Sequence, residues 1–368
     1  MSLRPQPAIC RSYPLFGAKR RPGGCRSRYA LLMNLPPPDL SRLIDARRTT
    51  SEQVDSAVFR RAAARGELDR LRRSIYREPL PSLSELKGKE FHAETRRRYL
   101  EQAISVGLTH SGRVIFAGET ALAIHGFPLL GGVPSRVELL EPPASGRRRV
   151  SDTTVHFDEF REQDVQPWGE FFVTTPARTL ADAAKWLPRA KAVSALDFAL
   201  NADRAEPRQR AVQAEVLDAL AASAAVRNRV AAQAAVDFAN GASGSVGESV
   251  SRVLMDAFGF PVPQLQVRHA ARPGGRRWYF TDFEWPEFGL IGEFDGLVKL
   301  RQAEFRNGRD AVQVVIDEKL REDFLRSGIR DFVRWDWSYL REPLRLRTLL
   351  VAHGLPASRG PRHLGRPW

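Results

Sequence analysis

No stretch of this chain comes near the ~18 consecutive apolar residues that a membrane-spanning helix requires. The N-terminus likewise lacks an apolar core ahead of a small-residue cleavage site, so neither a span nor a secretory signal is read from it. Cysteine is almost absent. Cys10 and Cys25 both lie in the first 30 residues, which excludes a disulfide framework or a cysteine metal site in the body and makes the cytoplasm the expected compartment. Lysine occurs only at positions 19, 87, 89, 185, 191, 299 and 319, while arginine and alanine abound, the bias of a GC-rich bacterial gene. Acids are missing from residues 1–30, where Arg4, Arg11, Lys19, Arg20, Arg21, Arg26 and Arg28 supply seven positive charges of a formal net +14. A polyanionic partner must therefore be argued from local features of a mildly basic body rather than from the total. Residues 1–38 read as a disordered basic tail, within which Met33 offers an alternative start.

A chain of 368 residues predicts two or three domains, each with its own core. From Asp39 the spacing of Leu40, Leu43 and Ile44 predicts a helix. Thr49, Thr50 and Ser51 are candidate caps for a second, in which Val54, Ala57, Val58, Ala62 and Leu68 face a core and which Gly66 ends. LDRLRRSIYRE then reads as a basic strand pair. That succession over residues 39–90 is the pattern of a winged helix-turn-helix, with Arg60, Arg61 and Arg65 on or near the groove-facing helix and Arg72 and Arg73 on the wing, placed to contact DNA phosphates. The plainer reading is that these arginines form a solvated face.

Residues 91–240 read as a middle unit, α/β at first and then helical. Residues 109–126 read as a short apolar strand leading into a helix, further strands are expected in 136–140, 155–160 and 170–176, and a helix capped by Thr175 with Pro176 at its first position follows. His125 and His156 have no cysteine, serine or second histidine at a recognisable spacing and are read as structural. GASGSVG at 241–247 suggests a flexible linker and domain boundary. A helix from Glu248 to Gly259 follows, in which Glu248 and Arg252 form at their simplest a surface ion pair.

The last unit, 248–345, is organised around Trp278 to Lys299. Two β-rich runs flank Pro286–Gly289, predicting a hairpin with Trp285 opposite Leu290 and hence Asp282 opposite Glu293, with Asp295 on the same face. Facing carboxylates destabilise a hairpin unless a cation neutralises them or one is protonated. An oxygen-rich cluster of this kind suits Mg2+ or Mn2+. A helix, strands, a helix and the strand DFVRWDW together predict a mixed sheet flanked by helices, and 346–368 reads as a basic tail. The fold class is α+β, multidomain.

ESVSR at 248–252, TDFEWP at 281–286, EFDGLVK at 293–299, EKLREDFLRSG at 318–328 and the closing FVRWDW resemble a PD-(D/E)xK nuclease domain related to the very-short-patch-repair endonucleases. AGETALAIHGFP and TTPARTLADAAK are similar to the AbiEi-type antitoxins of type IV toxin-antitoxin systems, which begin with a winged helix that binds promoter DNA. The first resemblance implies a restriction-endonuclease-like fold and metal-assisted phosphodiester hydrolysis, with Glu248 as supporting acid and Asp282 and Glu293 as the metal pair, which Asp295, on the same face of the hairpin, would join. Asp295 stands where the family pattern has lysine, so Lys299 or Lys319 would supply the cation that orients water or phosphate. The second implies an antitoxin or transcriptional regulator, with a toxin as a genetic partner and a nuclease fold that is not catalytic. DNA and RNA substrates are not distinguished by the sequence.

Overall fold

The computed structural model describes residues 35, 38–49, 56–143, 147–150, 152–223, 228–270, 278–295, 331–360 and 368. The chain divides into Met1–Asn34 and Leu35–Trp368, and every described element belongs to the second unit. The basic tail before it, Lys299, Lys319 and the helix expected around Asp317–Glu322 lie outside the described residues. Within those residues the chain is mixed α/β, with eleven helices and three sheets, and no helix is long and apolar enough to cross a membrane.

The first elements are β1 (Ile44–Asp45), α1 (Ala46–Thr49), α2 (Ser56–Ala64), β2 (Asp69–Arg72) and β3 (Ile75–Arg77), the strands forming an antiparallel sheet in the order β1-β3-β2. The helix expected from Asp39 to Ile44 does not form. The Asp39 carboxylate instead accepts the Ser41 N–H, a local turn that competes with helix, and Ile44 and Asp45 pair with Tyr76 and Ile75. Gly66 does stop α2, at φ +74°. Val58, expected inside, is 43% exposed; the inward side of α2 is set instead by Ala62 and by Phe59, which stacks on Tyr76.

The long α3 (Gly88–Thr109) leads to β4 (Ile115–Phe116), α4 (Gly118–His125), β5 (Val137–Glu141), β6 (Arg147–Val150), β7 (Thr153–Phe157), β8 (Val165–Trp168) and β9 (Phe171–Thr174). These strands make a six-stranded mixed sheet ordered β6-β7-β5-β4-β9-β8, each strand expected from the sequence having a counterpart in it. α5 (Pro176–Trp186) begins as expected: the Thr175 hydroxyl accepts the Arg178 N–H, and Pro176 occupies a position whose missing N–H costs nothing. α6 (Arg189–Leu200), α7 (Gln213–Ala221) and α8 (Arg229–Phe238) follow.

The C-terminal part comprises α9 (Val246–Phe258), β10 (Gln264–Ala270), β11 (Trp278–Trp285), β12 (Leu290–Phe294), β13 (Asp331–Trp335), α10 (Trp337–Arg341) and α11 (Pro343–Ala352). Its sheet runs β10-β11-β12-β13, antiparallel except for the parallel β12/β13 pair. Trp285 pairs with Leu290, the register expected of the hairpin.

Two boundaries read from composition are corrected. Residues 241–247 are not a flexible linker: Ser243 is fully buried, a Cβ on Gly241 would lie 2.6 Å from the Leu200 carbonyl oxygen, and one on Gly247 would overlap the Phe294 ring. Small residues here answer close packing rather than freedom. One apolar core runs through both sides of the segment, joining Leu180, Val193 and Val236 to Leu254, Phe258 and Trp335. Nor is 346–368 simply a tail, since Leu346, Leu350 and Leu355 are buried in that same core, each such side chain contributing roughly 1.5–3 kcal/mol.

Candidate functional site

Glu248 stands in the first turn of α9, where Ser245 caps the helix by accepting the Glu248 N–H. Its carboxylate is almost fully buried, accepting the Gly244 N–H at 2.6 Å and the Gln266 side-chain amide at 3.1 Å. The same amide nitrogen lies 3.3 Å from Oδ1 of Asp282, so one glutamine donates to acids on α9 and β11. Gln266 adopts φ +49°, in the left-handed region that a non-glycine residue enters at a cost of about 1–3 kcal/mol. It falls where the β10/β11 pairing skips from Leu265↔Phe283 to Val267↔Thr281.

Asp282 is buried too, and its Oδ2 accepts the Phe294 N–H across the hairpin at 3.0 Å. The β11/β12 pairing ends at Phe283↔Gly292, one position before the expected Asp282–Glu293 pair. Glu293 is 6% exposed and accepts from Arg334, its register partner on β13, at 3.2 Å. Asp295, just past β12, donates its backbone N–H to the Trp335 carbonyl. The structure therefore gathers Glu248 and Asp282 around Gln266, with Glu293 on the adjoining strand. Among the described residues no three acidic, histidine or cysteine side chains lie close enough together to hold a metal ion, so the expected convergence of three carboxylates is looser than the hairpin alone implied. Gln266 and Arg334 supply protein donors that relieve part of the repulsion among these acids.

Arg252, expected in a surface pair with Glu248, is instead buried. It donates to Asp197 at 2.8 Å, to the Ser243 hydroxyl and to the Phe238 carbonyl, fastening α9 to α6.

Of the five arginines assigned to the winged unit, two are committed elsewhere. Arg65 pairs with Glu67 at 2.6 Å, and Arg72 donates to both oxygens of Asp152 in the middle unit. Arg60, Arg61 and Arg73 are exposed and make no ion pair among the described residues.

The charged side chains of TTPARTLADAAK are buried and paired with one another. Arg178, Asp182 and Lys185, spaced to share one face of α5, are all buried against Asp158. Lys185 Nζ lies 2.5 Å from Asp158, 3.0 Å from Asp182 and 2.8 Å from the Ser223 hydroxyl, while Arg178 donates to Asp182 at 2.9 Å, to Asp158 at 3.1 Å and to the Glu159 carbonyl at 2.7 Å. Burial alone would raise the Asp158 pKa, but the Lys185 ammonium, the Ser223 hydroxyl and the Arg178 guanidinium hold it below the usual carboxylate range. His125 is fully buried, and burial pushes its pKa down to about 4, although its Nε2–H donates to the Thr174 carbonyl at 2.7 Å. His156 stacks on Trp186 with ring centroids 3.8 Å apart.

No family model matches the chain. Two uncharacterized proteins of Mycobacterium tuberculosis, Rv2248 of strain H37Rv and MT2308 of strain CDC 1551, are each 30% identical to it over 223 residues, covering 57% of this chain and 78% of the relative.

Proposed function

We propose that this chain, which belongs to the same family as the two mycobacterial proteins, is a DNA-binding protein whose C-terminal unit hydrolyses phosphodiester bonds with a divalent metal. The observation that carries this reading is the joining of Glu248 and Asp282 through Gln266, with Glu293 alongside, on a mixed sheet packed against α9. Burying a carboxylate is costly unless it is paired or hydrogen-bonded, and buried acids gathered in one place are characteristic of functional sites. The sequence resemblance to PD-(D/E)xK nucleases assigns those same residues to the site. The resemblance assigns Asp282 and Glu293, with Asp295, to magnesium or manganese, an all-oxygen donor set suiting a hard cation, and because the three do not stand close enough together as they are, binding would have to draw them in. Bound there, the cation would supply a water of lowered pKa and neutralise charge developing on the phosphate. Gln266 keeps the Glu248 and Asp282 carboxylates oriented, and Arg334 balances Glu293. Lys299 is the cation that the resemblance assigns to orienting water or phosphate.

The strand–helix–helix–strand–strand order of residues 44–77 supports a winged helix-turn-helix as the targeting element, with Arg60, Arg61 and Arg73 available for phosphates. A second reading, an AbiEi-like antitoxin or transcriptional regulator with a non-catalytic nuclease fold, is favoured by the way Gln266 and Arg334 already satisfy the acids with protein donors. Incubating supercoiled and single-stranded DNA with the protein in Mg2+ or Mn2+ separates the two. Cleavage that Asp282→Asn abolishes supports the enzyme; sequence-specific binding without cleavage supports the regulator.

A further inference from the structure

The acid site has a second cationic neighbour, supplied by the middle unit. Arg204 sits in the turn after α6, where its backbone N–H donates to the Asn201 side chain at 3.1 Å. Its guanidinium lies 5.1 Å from the Phe198 ring centroid, and Nη1 donates to the Ser243 carbonyl at 3.1 Å. The next residue, Gly244, is the one whose N–H binds the Glu248 carboxylate. Guanidinium and carboxylate are thus fastened to consecutive residues of one tight turn, whose Cα atoms are about 3.8 Å apart.

Arg204 differs from the other arginines around it. Arg252 spends its donors on Asp197, Ser243 and Phe238, and Arg334 pairs with Glu293. Arg204 has no carboxylate within ion-pair distance among the described residues, and its Nε and Nη2 make no hydrogen bond there. Burial depresses its pKa, while the charges of Glu248 and Asp197 work against that shift, as expected of a cation held near the acid site but not paired to it. A fixed, partly desolvated fork with unspent donors suits the oxygens of a phosphate, which it can bind through two parallel hydrogen bonds.

We infer that Arg204 is a phosphate-binding residue of the acid site, its Nε and Nη2 taking the oxygens of a nucleic-acid phosphate beside Glu248. The site then draws on the middle unit as well as the C-terminal sheet. This inference rests on the proposed reading in one respect, that the acid site receives a nucleic acid.

The test uses the full chain, in EDTA so that no turnover occurs, with a fluorescein-labelled 20-base-pair duplex titrated at several salt concentrations. Loss of one phosphate contact reduces the salt slope of log K by about 0.9, an approximately 8-fold loss of affinity at 0.1 M salt. That result is expected of Arg204→Gln, whereas Arg204→Lys keeps the slope. Should Arg204→Gln fail to fold, Arg204→Met retains the stem on Phe198 and gives the same readout. An unchanged slope and affinity in a variant that merely melts earlier would show that Arg204 only fastens Ser243, and would overturn the inference. Wild-type protein that binds through Arg204 yet never cleaves sinks the nuclease reading and leaves this one standing. Cleaving protein whose binding ignores Arg204 does the reverse.

Discussion

Lys185→Met tests whether the ionic cluster of α5 is as dry as its burial implies. The ammonium is 3% exposed as part of its residue and sits between Asp158 and Asp182, themselves 3% and 0% exposed. Removing one partner from a buried pair costs about 3–5 kcal/mol, because the remaining charge is left desolvated. Arg178 still reaches both acids, so the lower end, about 3 kcal/mol, is expected. At roughly 2 °C or more per kcal/mol in a large domain, the melting temperature should fall by ~6 °C. Asp158→Asn combined with Lys185→Met should cost less than the sum of the two single changes. The pH dependence has a definite sign. The folded-state pKa of Asp158 is depressed, so the stabilisation is fully present above the unfolded value of about 3.9 and is lost as pH falls through the folded one. The Lys185→Met penalty should therefore be full at neutral pH and shrink in strong acid. A variant within about 1 kcal/mol of wild type at neutral pH would refute the reasoning, since that is the scale of a solvated surface pair.

His125 carries a second pH signature. Its folded-state pKa of about 4 lies below the unfolded value near 6.5, so the unfolded chain binds the extra proton, and stability should decline between those two values by up to about 3 kcal/mol. Urea unfolding at a series of pH values checks this, and His125→Asn should flatten the decline. For the winged helix-turn-helix proposed above as the targeting element, Arg60→Ala and Arg61→Ala should each lower the salt slope of duplex binding by about one. Arg72→Ala should change it much less, because that guanidinium is already bound to Asp152.

What could be read from the sequence was local. The Thr175 cap with Pro176, the Gly66 and Gly259 stops and the Trp285–Leu290 register follow from residues a few positions apart, whose conformational preferences and alternation act within one turn or hairpin. The sharing of Gln266 between Glu248 and Asp282 was not legible, because it depends on how a helix lies against a strand pair and on a left-handed residue that carries no glycine to mark it. Arg72 bonds Asp152, 80 positions away, and Arg252 bonds Asp197, 55 away, so spacing along the chain could not show that either was already spent. Residues 241–247 misled for a related reason: glycine and serine are chosen both where a chain must move and where neighbours leave no room for a side chain. One long-range feature does leave a mark in the sequence. Arg178, Asp182 and Lys185 lie at positions i, i+4 and i+7, which places them on one face of a helix and could have marked α5 as the centre of an ionic cluster.

The central claim is tested most directly by single-turnover cleavage of supercoiled DNA across a Mn2+ titration, comparing wild type with Asp282→Asn. The asparagine oxygen can still accept the Phe294 N–H, so the hairpin has a means to stay folded, which circular dichroism and a melting curve verify. The account predicts metal-dependent cleavage by the wild type and a loss of at least about 100-fold in the variant, the scale of removing a group that holds charge in the transition state. Equal rates in the two proteins, or no cleavage by folded, DNA-binding wild type at any metal concentration, would contradict it.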